Sequence, residues 1–177
     1  MLCTDNSKKE QIKTALPTEE TVQRWLIKAE QGHALAQYNL AISYYTGVGI
    51  PKDWGKALYW FKEAGKQGNV NALYMIGLMY QFGKDVVPDV KEAFQWYYKA
   101  AELGDAESQY RVGNSYYLGR GVEKDPTAAV NWWRKAAEQG HAKASHNFGT
   151  ALYRGDGVPQ NRKEAEKWLK KCKCLIL

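Results

Sequence analysis

The sequence predicts an all-α fold, a solenoid of about four 36-residue helix-turn-helix repeats behind one leading helix. Three observations carry this. Trp60, Trp96, Trp132 and Trp168 follow one another at a constant step of 36 residues. Ala57, Ala93, Ala129 and Ala165 keep that step, and so do Gly47, Gly83, Gly119 and Gly155. Small residues fill two further columns in the same register, Ala36, Ala72, Ser108, Ala144 and Ala41, Gly77, Gly113, Gly149, as stacked copies of one unit require.

The units run over 34–69, 70–105, 106–141 and 142–177, with the solenoid domain placed at 17–173 and the last repeat ending at 173. A half-unit leads them, since Trp25, Ala29 and Gly32 stand 36 residues before Phe61, Gly65 and Gly68. Thr18 caps its helix, expected over 19–31, and residues 1–16 are expected to be a flexible segment. In each unit a first helix, such as Ala34–Thr46, carries Tyr38, Ala41, Tyr44 and Tyr45 at helical spacing. It stops at a glycine turn (Gly47-Val48-Gly49, Gly119-Arg120-Gly121), where positive φ is cheap. The second helix opens at Asp53, Asp89, Asp125 or Asn161, with Pro126 in a first-turn position. Asp89 with Glu92 and Asn161 with Glu164 have capping-box spacing. Gly68, Gly104 and Gly140 close the second helix, and His33, Asn69, Asp105 and His141 start the next first helix. The repeated Trp column is expected to be core, so that Trp→Ala would cost about 3–5 kcal/mol.

Composition agrees with one packed domain and excludes other classes. Seven Trp and twelve Tyr are too much aromatic surface for a disordered chain. No apolar run approaches the ~20 residues of a membrane span. Three Cys give no paired framework, and no secretory leader is recognisable, so a reducing, cytoplasmic location is expected.

The segments A-x-A-Q-Y-N-L-A (34–41), Y-x-G-x-G-V-x-K-D and A-x-x-W-[FYW]-x-K-A-A-E-x-G, the last two seen together in 115–142, resemble the Sel-one-like repeat (SLR) family, a relative of the tetratricopeptide repeat. The resemblance covers about 33–173. It implies a right-handed superhelical solenoid that acts as a non-enzymatic interaction adaptor or scaffold, binding a protein or peptide in its concave groove. Unit two departs from the pattern at Asp85, where the others have glycine, and at Val87-Pro88. Its turn geometry is therefore open.

Catalytic and cofactor chemistry is not expected. The Gly-x-Gly pairs follow helices and complete no phosphate-binding loop. His33 and His141 sit in a capping column, and His146 replaces Tyr38, Tyr74 and Tyr110, where packing is expected. Cys172 and Cys174 diverge on a helix, so no metal site is assigned. Nucleic acid is not an expected partner: residues 162–177 hold six basic and two acidic residues, which leaves only +2 of the +6 net charge for the rest. The paired intra-unit cysteines of family members linked to β-lactam binding are missing, which leaves hydrolysis a distant alternative.

Columns that vary between units are free for recognition. In the first helix these are 35, 39, 42 and 46, which fall on one stripe at 100° per residue. The stripe reads Leu35, Asn39, Ile42, Thr46, then Asn71, Met75, Leu78, Phe82, then Glu107, Arg111, Asn114, Leu118, then Lys143, Asn147, Thr150, Arg154. Its first half is apolar and its second polar to basic. Met75 and Phe82 are expected to anchor a partner's apolar side chains, and Arg111, Lys143 and Arg154 its acidic part. The alternative is that Met75, Leu78 and Phe82 are inter-repeat core.

By register, 172–177 should continue the repeat; they read Cys-Lys-Cys-Leu-Ile-Leu. Residues 174–177 fit a C-a-a-X tail, with Cys174 a lipidation candidate, Cys172 a palmitoylation candidate and Lys170, Lys171 and Lys173 a polybasic signal. This reading gives a prenylated, membrane-tethered adaptor, conceivable also for a bacterial effector inside a eukaryotic host. An apolar cover for the last repeat is the competing reading. End-to-end homodimers through the solenoid's two end faces are left open.

Overall fold

The computed structural model describes residues 16–174, with side chains described as far as Lys170. All of its regular structure is helical: α1 (Glu19–Glu30), α2 (Ala34–Thr46), α3 (Trp54–Lys66), α4 (Val70–Phe82), α5 (Val90–Glu102), α6 (Ala106–Leu118), α7 (Pro126–Glu138), α8 (Ala142–Arg154) and α9 (Arg162–Cys174). Each helix from α2 onward has 13 residues, about 20 Å. Consecutive helices pack on one another along the chain, so α2, α4, α6 and α8 form one row and α3, α5, α7 and α9 the other. The segment 1–16 lies outside the described residues except for Leu16.

One turn is built four times. The first helix ends on a left-handed glycine, Gly47, Gly83, Gly119 or Gly155. The capping residue of the second helix then sends its own N–H back to the first helix: Asp53 to the Tyr44 carbonyl, Asp89 to Tyr80, Asp125 to Tyr116 and Asn161 to Leu152, each at 2.9 Å. The Asp side chains accept from the first-turn N–H groups; at exposed Asp53 the Lys56 backbone N–H is the main reason the carboxyl sits below its usual range. Asp89 and Glu92 form half of a capping box, because the Glu92 carboxylate accepts the Trp96 indole N–H instead of returning to Asp89. Pro126 is the first residue of α7. His141 caps α8 by accepting the Ala144 N–H at Nδ1, whereas His33 makes no side-chain cap.

Unit two keeps this turn in spite of its sequence. Asp85 takes φ +59°, the left-handed conformation that Gly49, Gly121 and Gly157 hold elsewhere.

The core runs through the whole stack. Small columns (Ala57, Ala93, Ala129, Ala165; Ala64, Ala100, Ala136) are buried where helices meet. Large side chains, Phe61, Tyr97 and Trp133, sit between them at 0%, 4% and 4% exposure. Tyr80 packs against both the first and the middle core cluster, and Tyr116 against both the middle and the last. The units therefore share apolar surface that none of them could bury alone.

Two expectations are corrected. The evenly spaced Trp60, Trp96, Trp132 and Trp168 are only half-buried; Phe61, Tyr97 and Trp133, each one residue later, are the interior ones. The 3–5 kcal/mol cost of truncation therefore attaches to Phe61 and Trp133. His146 is exposed, not packed like the tyrosines of its column.

Candidate binding grooves

The stripe of variable residues on the first helices is half anchored and half open. Ile42 and Met75 are half-buried against the first core cluster and Leu78 against the middle one, whereas Phe82 is 60% exposed. The competing core reading thus holds for Met75 and Leu78 as packing partners, and Phe82 stands clear of it. Asn39 lines a shallow hollow with Trp25, Lys28 and Leu35. Lys143 and Arg154 are exposed; Asn114 and Asn147 are half-buried.

Between successive first helices lie two consecutive grooves, each floored by the intervening second helix. The first, about 380 Å³, lies between α4 and α6 with Ala93, Phe94 and Tyr97 of α5 beneath it. The second, about 210 Å³, lies between α6 and α8 and is floored by Trp133 of α7. Asn114 and Leu118 belong to both and form the wall between them. The floors sit close because the facing helix column is glycine. A Cβ on Gly77 would stand 2.6 Å from Tyr97 Cε1, and one on Gly113 2.5 Å from Trp133 Cδ1.

Arg111 lines the first groove, with most of its guanidinium engaged by neighbouring side chains. It donates to Tyr74 Oη at 3.0 Å, pairs with Glu107 at 2.9 Å and lies 5.3 Å from the ring centres of Tyr74 and Tyr97. Its bond to Gln81 is long, 3.4 Å, and its buried Nε has no partner among the described residues. Tyr97 donates to Gln81 Oε1 at 2.7 Å, and burial pushes its phenol far above the usual range despite the Arg111 charge. Burial alone would raise the Glu107 carboxyl, but the hydrogen bond from His141 and the Arg111 charge outweigh it and hold the group below its ordinary value. His141 accepts at Nδ1, so in its neutral form Nε2–H donates to Glu107.

Asn114 has its orientation imposed. The Trp133 indole N–H can only donate, and it reaches Asn114 Oδ1 at 3.1 Å. Asn147 Nδ2 donates to the same oxygen at 3.2 Å. The Asn114 amide NH2 and the Asn147 carbonyl oxygen are thereby left without a partner among the described residues, one donor and one acceptor where the two grooves meet.

The same pattern is recognised across proteins. The Sel1 repeat model matches residues 34–69, 70–105, 106–141 and 142–171. The chain belongs to the Sel1 repeat family. A protective antigen of uropathogenic Escherichia coli strains, which displays an SLR fold, is 37% identical with a TM-score of 0.83, over 87% of this chain and 33% of its own length. A Sel1 repeat protein from Oxalobacter formigenes is 35% identical with a TM-score of 0.82, over 88% of this chain and 64% of its own. Cysteine rich protein B of Helicobacter pylori is 25% identical with a TM-score of 0.59, over 71% of this chain and 93% of its own. The chain thus spans about a third of the first relative and just under two thirds of the second. No curated protein matches.

Sel1 repeat proteins generally mediate protein–protein interaction, and the repeat is a non-catalytic scaffold fold. Among the described residues no group of His, Cys, Asp and Glu is placed to hold a metal ion, and no helix is long and apolar enough to cross a membrane. The side chains of Lys171, Cys172, Lys173 and Cys174, and the whole of residues 175–177, lie outside the described residues, and with them the lipidation candidates Cys172 and Cys174.

The stripe of the first helices leaves out much of the first groove's lining, notably Val90 and Phe94 on α5 and Arg120 in the turn after α6. Comparing columns in the second helix and the turn, and not only in the first helix, exposes Val90 and Arg120. Column 90 holds Trp54, Val90, Pro126 and Arg162, and column 120 holds Val48, Lys84, Arg120 and Asp156.

Proposed function

We propose that this Sel1 repeat protein is a non-enzymatic adaptor whose partner, a protein segment or peptide, lies across the two consecutive grooves between α4, α6 and α8. The observation that supports this most is the imposed orientation of Asn114 and Asn147. Their free amide NH2 and carbonyl oxygen complement the C=O and N–H of an extended backbone. Apolar surface beside them, Phe82 and Leu118 at 60% and 52% exposure, supplies the anchoring area that such a contact needs. Asn39, Ile42, Met75 and Leu78 then act mainly by shaping the row of first helices, and Lys143 and Arg154 act at its far rim.

The test is a comparison of the wild-type chain with an Asn114→Asp, Leu118→Arg variant, both immobilised and both checked by circular dichroism for equal helix content. A partner retained by the wild type should be lost from the variant. Equal retention by both would show that binding occurs elsewhere.

A further inference from the structure

The sequence placed apolar anchors and basic residues in separate halves of the stripe; the fold brings the two chemistries into one groove. Phe82 at the end of α4, Val90 at the start of α5 and Leu118 at the end of α6 are 60%, 55% and 52% exposed, and all three line the groove between α4 and α6 over the buried Phe94. The charged residues lining it are Arg111 and Arg120, and no carboxylate lines it. Arg120 makes no ion pair among the described residues. Arg111 keeps Glu107 as a counter-ion, but its Nη1 is held only by the long bond to Gln81.

We propose that this groove takes an extended acidic peptide segment with one bulky apolar side chain flanked by carboxylates. The apolar side chain seats among Phe82, Val90, Phe94 and Leu118, and the carboxylates reach Arg111 at one end and Arg120 at the other. The length agrees. Nine residues of helix and cap at ~1.5 Å each separate the two arginines by about 13 Å, which four residues of extended chain at ~3.3 Å cover. The second groove does not share this chemistry. Its lining carries Arg154 and Asp156, of opposite sign, and its exposed apolar side chain is the shared Leu118. Charge and apolar area thus converge only in the first groove, which sets the partner's character and register.

This inference rests on the adaptor reading above, and its test separates the two. Fluorescence anisotropy of the full chain is measured with a labelled nonapeptide, Ser-Gly-Glu-Gly-Phe-Gly-Glu-Gly-Ser, with its counterpart carrying Lys for both Glu, and with its counterpart carrying Ala for Phe. The first should bind at least about tenfold more tightly than either counterpart, and more weakly as salt is raised. Arg120→Glu, at an exposed turn, should leave the melting temperature unchanged and abolish the preference, because Arg111 still favours one carboxylate while Glu at 120 repels the other, so that the acidic and lysine peptides bind about equally. Equal binding of all three peptides, binding of none, or an order unaffected by Arg120→Glu would overturn the inference. If a natural partner is still lost with the Asn114→Asp, Leu118→Arg variant, only the acidic–apolar assignment fails; if that partner is retained, the adaptor reading fails as well.

Discussion

Asp85 holds its carboxylate oxygen Oδ2 2.7 Å from the point where a Cβ on Gly55 would stand. In the other units the second turn glycine, Gly49, Gly121 or Gly157, lies against the start of α1, α5 or α7, and the residues of α5 and α7 that match Gly55 are Lys91 and Thr127. Unit two has moved its glycine across the contact: the turn carries a side chain and the facing helix start gives one up. Ala in a helix is worth about 1 kcal/mol over Gly. Gly55→Ala should therefore gain less in the wild type than in an Asp85→Gly background, with a coupling of about 0.5–1 kcal/mol from urea unfolding of the four-member cycle. Strict additivity would mean that the two residues do not communicate.

Gly113 should resist the same substitution outright. Its missing Cβ leaves room for the Trp133 ring, which is 4% exposed and tied by its indole N–H to Asn114. Gly113→Ala should lower stability by about 1–3 kcal/mol, because overpacking against a fixed ring exceeds the propensity gain. A stabilised variant would contradict the tight floor of the second groove.

Gln109 and Gln139 form a unit. Gln139 Nε2 donates to Gln109 Oε1 at 2.8 Å and to the Gly104 carbonyl at 2.9 Å, and Gln37 and Gln67 repeat this with Gly32. Unit two has leucine at both matching positions, Leu73 and Leu103. Gln109→Leu alone should cost about 1 kcal/mol, because the Ala101 carbonyl still has the Gly104 N–H and the Gln139 amide still has the Gly104 carbonyl, and adding Gln139→Leu should recover part of it. Chemical denaturation of the single and double variants measures this directly.

Acid should act through Glu107. Its carboxyl is held below the ordinary value in the folded chain, so the unfolded chain takes up the proton first as pH falls. The stability it contributes is complete above the unfolded value of about 4.3 and disappears as pH drops through the lower folded value. Glu107→Gln should be less stable than wild type at pH 6–7, and the difference should close below pH 4 in urea titrations at stepped pH. A difference that widens on acidification would reverse the assigned sign.

Helix positions and turns were legible because every unit repeats them: capping residues, turn glycines and small columns each do one local job four times. Depth was less legible. Trp60, Trp96 and Trp132 are identical across units yet half-buried, since Lys99 and Lys135 cover the rings of Trp96 and Trp132 from outside, at 4.2 Å. Their more varied neighbours Phe61, Tyr97 and Trp133 fill the interior. A shared column reports a shared environment, not its depth. Arg111 varies between units and lines the first groove, but its contacts with Tyr74, Tyr97 and Glu107 are tertiary and no single column displays them. The first groove was half seen, through Phe82, Asn114 and Arg111, because Val90, Phe94 and Arg120 come from the second helix and the turn.

The adaptor reading is tested most directly by the indole N–H signals of the seven tryptophans in a two-dimensional NMR spectrum during titration with a partner retained by the wild-type chain. Trp133 donates to Asn114 at the wall between the two grooves, while Trp96 donates to Glu92 within its own helix. The account predicts that the Trp133 signal moves with saturation while that of Trp96 stays in place; a stationary Trp133 beside a shifting Trp96 would contradict it.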